Sequence, residues 1–167
     1  VFERLSIDIT GPHPKSVAGN KYILTVQDYF SKWTECYPVP DHKATTVSKK
    51  LVEQLFSRFG TPLQIHTDQG PEFESQLFAE LCKWLNIDKL RTTSYHPSGN
   101  GLIERFHRTL NQMLAKVISA DQRNWDTKVP QVLAAYRATP HEATGYSPNF
   151  LMFGREVFNP IDVVLGV

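Results

Sequence analysis

The stretch LSIDITG, residues 5–11, alternates Leu5, Ile7 and Ile9 with Ser6, Asp8 and Thr10, and Gly11 followed by Pro12 ends it. Period-two alternation marks a strand with one buried face, because successive side chains leave a pleated backbone on opposite sides. Asp8 therefore lies mid-strand on the polar side, a poor position for an acid that serves only solubility. Working outward, HPKSVAGN (13–20) reads as a turn. KYILTVQD (21–28) and WTECYPV (33–39) read as a second and a third strand joined by the short YFSK link. Links this tight return a chain alongside itself, so the first three strands form an antiparallel meander.

After Pro38 and Pro40 the period changes. Val47, Leu51, Val52, Leu55, Phe56 and Phe59 recur at helical spacing, with Thr45 as the cap and Gly60 and Pro62 as the stop. LQIHTD (63–68) is a short strand of the buried type, and its last residue, Asp68, stands at the strand tip ahead of the turn signal QGP. Leu77, Phe78, Leu81, Cys82 and Leu85 mark a second helix, and DKLRTTS (88–94) a fifth strand. From Gly101 onward Ile103, Phe106, Leu110, Met113 and Val117 form the apolar stripe of a helix of about five turns. Glu104, Arg108 and Asn111 fall on a different face, with Arg108 about one turn from Glu104. Pro130 confines the regular part of the next helix to 129–138, and Ser147 followed by Pro148 starts a last one before Phe150, Leu151, Met152 and Phe153.

The order is three strands, helix, strand, helix, strand, helix: an α/β chain whose 167 residues, 41% of them hydrophobic, suit one domain with a substantial core. The start lacks an initiator Met and a signal-like pattern, and no apolar run approaches 18 residues, so the chain is read as a domain excised from a longer protein and not as a membrane segment. Cys36 and Cys82 are read as packed free thiols in a reducing compartment. Net charge is only +1, so any basic footprint for nucleic acid must be local. His13, His42, His66, His96, His107 and His141 include no helical pair suited to zinc, and GxxxxGK[ST], GxGxxG and GxSxG are absent.

What remains is a set of carboxylates. Asp8 stands mid-strand, Asp68 at a strand tip and Glu104 at a helix start after a Gly/Pro loop, with 59 residues between the first two and 35 between the last two. Hard oxygen donors without a His/Cys cluster suit Mg²⁺ or Mn²⁺, which keep positions open for water and phosphate oxygens. In a two-ion arrangement, with the ions roughly 3.5–4 Å apart, Asp8 would bridge both while Asp68 and Glu104 each take one side. Two other acids compete: Asp28 is read as shaping a turn and Glu72 as lying on the rim.

HTDQGPEF (66–73), SYHPSGNGLIERFHRTL (94–110) and ATPHEATGYSPNFLMFGR (138–155) resemble the retroviral-type integrase catalytic core, above all its Gypsy-type LTR retrotransposon branch. The resemblance spans nearly the whole chain. It implies a ribonuclease H-like fold, a five-stranded mixed sheet flanked by helices, with Asp8, Asp68 and Glu104 as the catalytic, metal-binding acids. It implies Mg²⁺ or Mn²⁺, two ions per site when substrate is bound, and a reaction in which water attacks near the element's DNA ends and the freed 3′-hydroxyl then attacks target DNA. Tyr95, His96, Asn100, Arg105 and Arg108 match positions that face DNA in this family. The implied partners are element and target DNA and further copies of the chain, as a homodimer or higher oligomer, with the nucleus as the place of action. Family members also carry a His/Cys zinc-binding domain before the core and a DNA-binding region after it. Two rival readings use the same residues: a host-domesticated, non-catalytic DNA- or protein-binding module, and a nuclease of RNA–DNA hybrids. The latter leaves YHPSGNG and GYSPNFLMFGR without a role.

Overall fold

A computed structural model describes residues 1–91, 101–118 and 122–158. Five strands, β1 (Arg4–Thr10), β2 (Tyr22–Asp28), β3 (Thr34–Val39), β4 (Gln64–Thr67) and β5 (Asp88–Arg91), form one mixed sheet in the order β3-β2-β1-β4-β5. The first three pair antiparallel, as their short links require, whereas β4 and β5 run parallel to β1 because a helix intervenes before each.

Alternation along the strands sorts the chain into two cores. Leu5 and Ile7 of β1, Leu24 and Val26 of β2 and Ile65 of β4 point to one face. There they meet α1 (Ala44–Lys50), the π-helical turn that continues it (Leu51–Phe56) and α3 (Gln76–Trp84), through Val47, Leu51, Leu55, Phe78 and Cys82. On the opposite face Ile23 and Cys36 meet α4 (Gly101–Val117) and α5 (Trp125–Ala138) through Phe106, Leu110, Leu114, Trp125, Val129, Val132 and Leu133. Asp8 is next to Ile7, so it faces the α4 side.

Several expectations shift at the helix ends. The first helix starts at Ala44 without a side-chain cap on its N-cap residue Lys43. Asp41, in place of Thr45, ties the entry by accepting from the Lys43 amide at 3.0 Å and the Thr46 hydroxyl at 2.7 Å. The helix widens into a π-helical turn at Leu51–Phe56 before a last α-turn, α2 (Ser57–Phe59), closes it at Gly60. The stripe of α4 takes the four-residue step from Leu110 to Leu114 and Ile118, which leaves Val117 42% exposed.

Pro130 does not delay α5, which begins five residues earlier. The proline removes one donor from the helix ladder, but the first turn is fastened from outside. The buried Trp125 donates from Nε1 to the Pro14 carbonyl at 2.7 Å, and Asp126 accepts from Ser16 Oγ at 2.6 Å and Asn20 Nδ2 at 2.9 Å. The final helix, α6 (Pro148–Phe153), starts as expected, with Ser147 Oγ accepting from the Phe150 amide at 2.9 Å. Cys36 and Cys82 are both free and buried, and no described helix is long and apolar enough to cross a membrane.

Candidate active site

Sheet register brings the first two acids together. The parallel pairing of β1 with β4 ends at Ile7 beside Thr67, so one further step sets Asp8 beside Asp68. Both have the parity that faces α4, opposite to Ile7 and Ile65. Each carboxylate is fixed by backbone: Asp8 Oδ1 accepts from the Ile9 amide at 2.8 Å, and Asp68 Oδ1 accepts from the Gly70 amide at 3.0 Å.

The QGP turn adds a fourth acid. A side chain at Gly70 would put its Cβ 2.9 Å from Glu72 Oε1 and 3.1 Å from Asp68 Oδ1, so any larger residue there would press on both carboxylates. Glu72 is mostly buried, with 10% side-chain exposure, and its Oε2 lies 3.3 Å from His42 Nδ1. It stands deeper than the rim position read from sequence.

Glu104 is in the first turn of α4, on its exposed face. The Asp8 carboxyl is pushed up to about 6, first by burial and also by the negative charges of Asp68, Glu104 and Glu72, against the lowering effect of the Ile9 amide. The charges of Asp68 at the tip of β4, Glu72 in the turn and Glu104 on α4 thus all act on Asp8 in β1. A field of this sign disfavours a further proton-free acid and favours a cation. Among the described residues no three His, Cys, Asp or Glu side chains converge closely enough to cage an ion by themselves. Mg²⁺ does not need such a cage, because it takes one or two carboxylates and fills the remaining positions with water and phosphate oxygens. The donor set and its field therefore fit a hard divalent ion.

His107 is a site residue that the apolar stripe passed over. It follows Ile103 by four residues and so shares the buried side of α4, and its Nδ1 lies 3.5 Å from Asp8 Oδ2. Burial first, then His13, pushes its imidazole down to about 4, so the contact is made by a neutral ring and not by an ion pair. Its Nε2 is buried without a hydrogen-bond partner among the described residues.

Of the expected DNA contacts, Arg105 and Arg108 are exposed on α4 and have no ion-pair partner among the described residues. Tyr95, His96 and Asn100 lie outside the described residues. Asp28 is a turn residue: Oδ1 accepts from the Phe2 amide, and Oδ2 from the Ser31 amide and hydroxyl.

Known proteins resemble this chain in sequence and in fold. Residues 1–97 match the family model described as "Integrase core domain". The chain is 33% identical over 154 residues to the "Retrovirus-related Pol polyprotein from transposon 412" of Drosophila melanogaster, covering 92% of this chain and 12% of that protein. It is 39% identical over 145 residues to the Pol polyprotein of Radiation murine leukemia virus (strain Kaplan), covering 84% of this chain and 24% of the relative. The chain thus spans a quarter or less of these curated relatives. The catalytic core domain of BIV integrase superposes with a TM-score of 0.71 at 26% identity, covering 90% of this chain and 93% of that one. The HTLV-2 integrase catalytic core domain, solved in complex with magnesium in a trimeric form, superposes with a TM-score of 0.70 at 22% identity, covering 88% and 93%. The five-stranded mixed sheet with its helices is accordingly the ribonuclease H-like fold, and the chain belongs to the integrase core domain family.

Proposed function

We propose that this chain is the catalytic core of a DNA integrase, with Asp8, Asp68 and Glu104 as the catalytic acids, Mg²⁺ or Mn²⁺ as cofactor, and phosphoryl transfer as the reaction. The observation that carries the reading is the Asp8 carboxyl: half-buried, beside His107 of α4, and subject to the negative charges of Asp68, Glu104 and Glu72. A site built this way is costly unless a cation or a proton occupies it.

The chain's own residues divide the work. Asp8 and Asp68, each anchored by a backbone amide, would hold the metal from β1 and the tip of β4, and Glu104 would close the set from α4. When bound, a divalent ion would supply positive charge to the phosphate oxygens and lower the pKa of the attacking water or 3′-hydroxyl. Glu72 would add negative charge from the QGP turn, and neutral His107 would back Asp8 without competing for the cation. Arg105 and Arg108, on the exposed side of α4, would meet DNA phosphates, which position the substrate without reading its sequence. Phosphodiester attack in line needs placement and charge neutralisation more than covalent help, and the acids and arginines provide for both.

The proposed sequence is hydrolysis near the ends of element DNA, then joining of those ends to target DNA, in the nucleus and by an oligomer of the full protein. A solved simian T-cell lymphotropic virus intasome with the same fold supports the assembly in kind, at a TM-score of 0.75 and 21% identity. The test is resolution of a branched DNA that mimics the joined product, in Mn²⁺ or Mg²⁺. The wild-type chain is expected to resolve it. Asp68→Asn and Glu104→Gln should abolish activity with the fold intact, and near-wild-type rates in either variant would refute the acid assignment.

A further inference from the structure

The loop between β3 and α1 meets the QGP turn through one side chain, His42. Its Nδ1 lies 3.3 Å from Glu72 Oε2. An ionised carboxylate only accepts, so this contact keeps the ring proton on Nδ1, which donates. His42 is itself held from two sides. Its ring packs at a tilt on that of Tyr22, the first residue of β2, with centroids 4.9 Å apart. Its neighbour Asp41 ties the loop to α1 by accepting from the Lys43 amide and the Thr46 hydroxyl. The sheet and a helix entry thus place the donor, independently of the turn that carries Glu72.

Glu72 is the deeper member of the pair: its side chain is 10% exposed, against 50% for His42. With Oε2 facing His42, Oε1 accepts no hydrogen bond among the described residues. That free oxygen lies on the Asp68 side. The point where a Gly70 Cβ would stand is 2.9 Å from Glu72 Oε1 and 3.1 Å from Asp68 Oδ1, so two carboxylate oxygens flank a gap one glycine wide. The charge of Glu72 is felt at Asp8 as well.

Like charges at this range repel, and an acid kept only for solubility is free to turn outward. Glu72 instead stays inward, nearly out of water, with one half-exposed donor as its partner. A carboxylate placed so is poorly compensated, and a cation beside Asp68 recovers the cost.

We propose that Glu72 is a fourth acid of the cation site and that His42 is the positioning residue that keeps it turned toward Asp68. The identity of the cation, a hard divalent ion, rests on the integrase reading. The inference extends the site past Asp8, Asp68 and Glu104 to the loop between β3 and α1. By binding Oε2, His42 leaves Oε1 directed at the gap. Hydrogen-bonded partners behind a metal site commonly change metal affinity by about tenfold or more when removed.

The test is titration of the 167-residue chain with Mn²⁺ alone, without DNA, with free Mn²⁺ followed by electron paramagnetic resonance. Glu72→Gln, which keeps the shape and an oxygen for His42 but loses the charge, should weaken binding about tenfold. His42→Ala should weaken it about threefold to tenfold, and His42→Gln, which keeps a donor, should restore most of that loss. Glu53→Gln, at an exposed acid on the π-helical turn, should leave the affinity unchanged and so controls for net charge. Wild-type affinity in a Glu72→Gln protein that circular dichroism shows to be folded would overturn the fourth acid, as would an equal loss in Glu53→Gln. Equal losses in His42→Ala and His42→Gln would overturn the positioning role. The titration contains no DNA, so a failed fourth acid leaves branched-DNA resolution standing, whereas a failed integrase reading appears as a chain that binds Mn²⁺ and resolves nothing.

Discussion

Replacing Asp8 by asparagine should make the metal-free protein more stable while abolishing its activity. The Asp8 carboxyl is pushed from 3.8 up to about 6, first by burial and then by Asp68, Glu104 and Glu72. A carboxyl whose folded pKa lies above its unfolded one binds its proton more tightly in the folded state. Its favourable contribution is therefore fully present below pH 3.8 and is lost as pH rises through about 6. A tenfold change in proton affinity is worth about 1.36 kcal/mol, so at pH 8 the ionised Asp8 costs the fold about 3 kcal/mol. Asparagine removes the charge and keeps an oxygen for the Ile9 amide, which Asp8 Oδ1 now accepts at 2.8 Å. For a chain of this size 1 kcal/mol moves Tm by about 2–4 °C, so Asp8→Asn should raise Tm by about 6–12 °C at pH 8 and by almost nothing near pH 3.5. The assay is thermal unfolding in chelator across that pH range. Adding Mn²⁺ or Mg²⁺ should then stabilise the wild type, by about 2.7 kcal/mol at a hundredfold excess over Kd, and leave the variant nearly unmoved. A variant that is less stable at pH 8, or whose effect is the same at both pH values, would refute the shared field of acids at this site.

Three further outcomes follow from the same geometry. Gly70→Ala should cut branched-DNA resolution at least about tenfold with the fold retained, because the new Cβ would press on Glu72 Oε1 at 2.9 Å and Asp68 Oδ1 at 3.1 Å; wild-type activity in a folded Gly70→Ala protein would contradict this. Burial pushes the Cys36 thiol up to about 12 and raises that of Cys82, so at pH 8 neither should react with iodoacetamide in the native protein, and both should react once it is unfolded in guanidinium; rapid native alkylation of Cys36 would show that the α5 side of the sheet opens. Phe78→Ala should destabilise by about 3–5 kcal/mol in urea unfolding, since Phe78 is fully buried and packs edge-on against Phe73 at 5.4 Å.

Strand and helix order was legible because each element carries its own period. Alternation in β1 both identified the strand and assigned Asp8 to the side away from Leu5 and Ile7. Where a boundary depends on contacts distant in sequence, local reading erred. Pro130 argues for a late start to α5, but Trp125 and Asp126 are fastened to Pro14, Ser16 and Asn20, more than a hundred residues earlier. Thr45 lies closer to the apolar stripe, so local spacing favours it as the entry residue, whereas Asp41 makes the tie through Thr46. The site divided in the same way. Asp8, Asp68 and Glu104 stand at conspicuous positions in the chain, whereas Glu72 is drawn inward by the fold of the QGP turn around Gly70. His107 could have been found at sequence level, since it lies four residues from Ile103 and three from Leu110. Its contact with Asp8 depends on how α4 crosses β1.

The most direct test of the central claim is resolution of a branched DNA substrate by the purified chain, measured with and without Mn²⁺ and compared with Asp68→Asn and Glu104→Gln. The acid cluster predicts metal-dependent release of the two product strands by the wild type and none by either variant. A folded, metal-binding wild type that leaves the branch intact, or a variant that resolves it at the wild-type rate, would contradict the assignment of these acids to DNA joining.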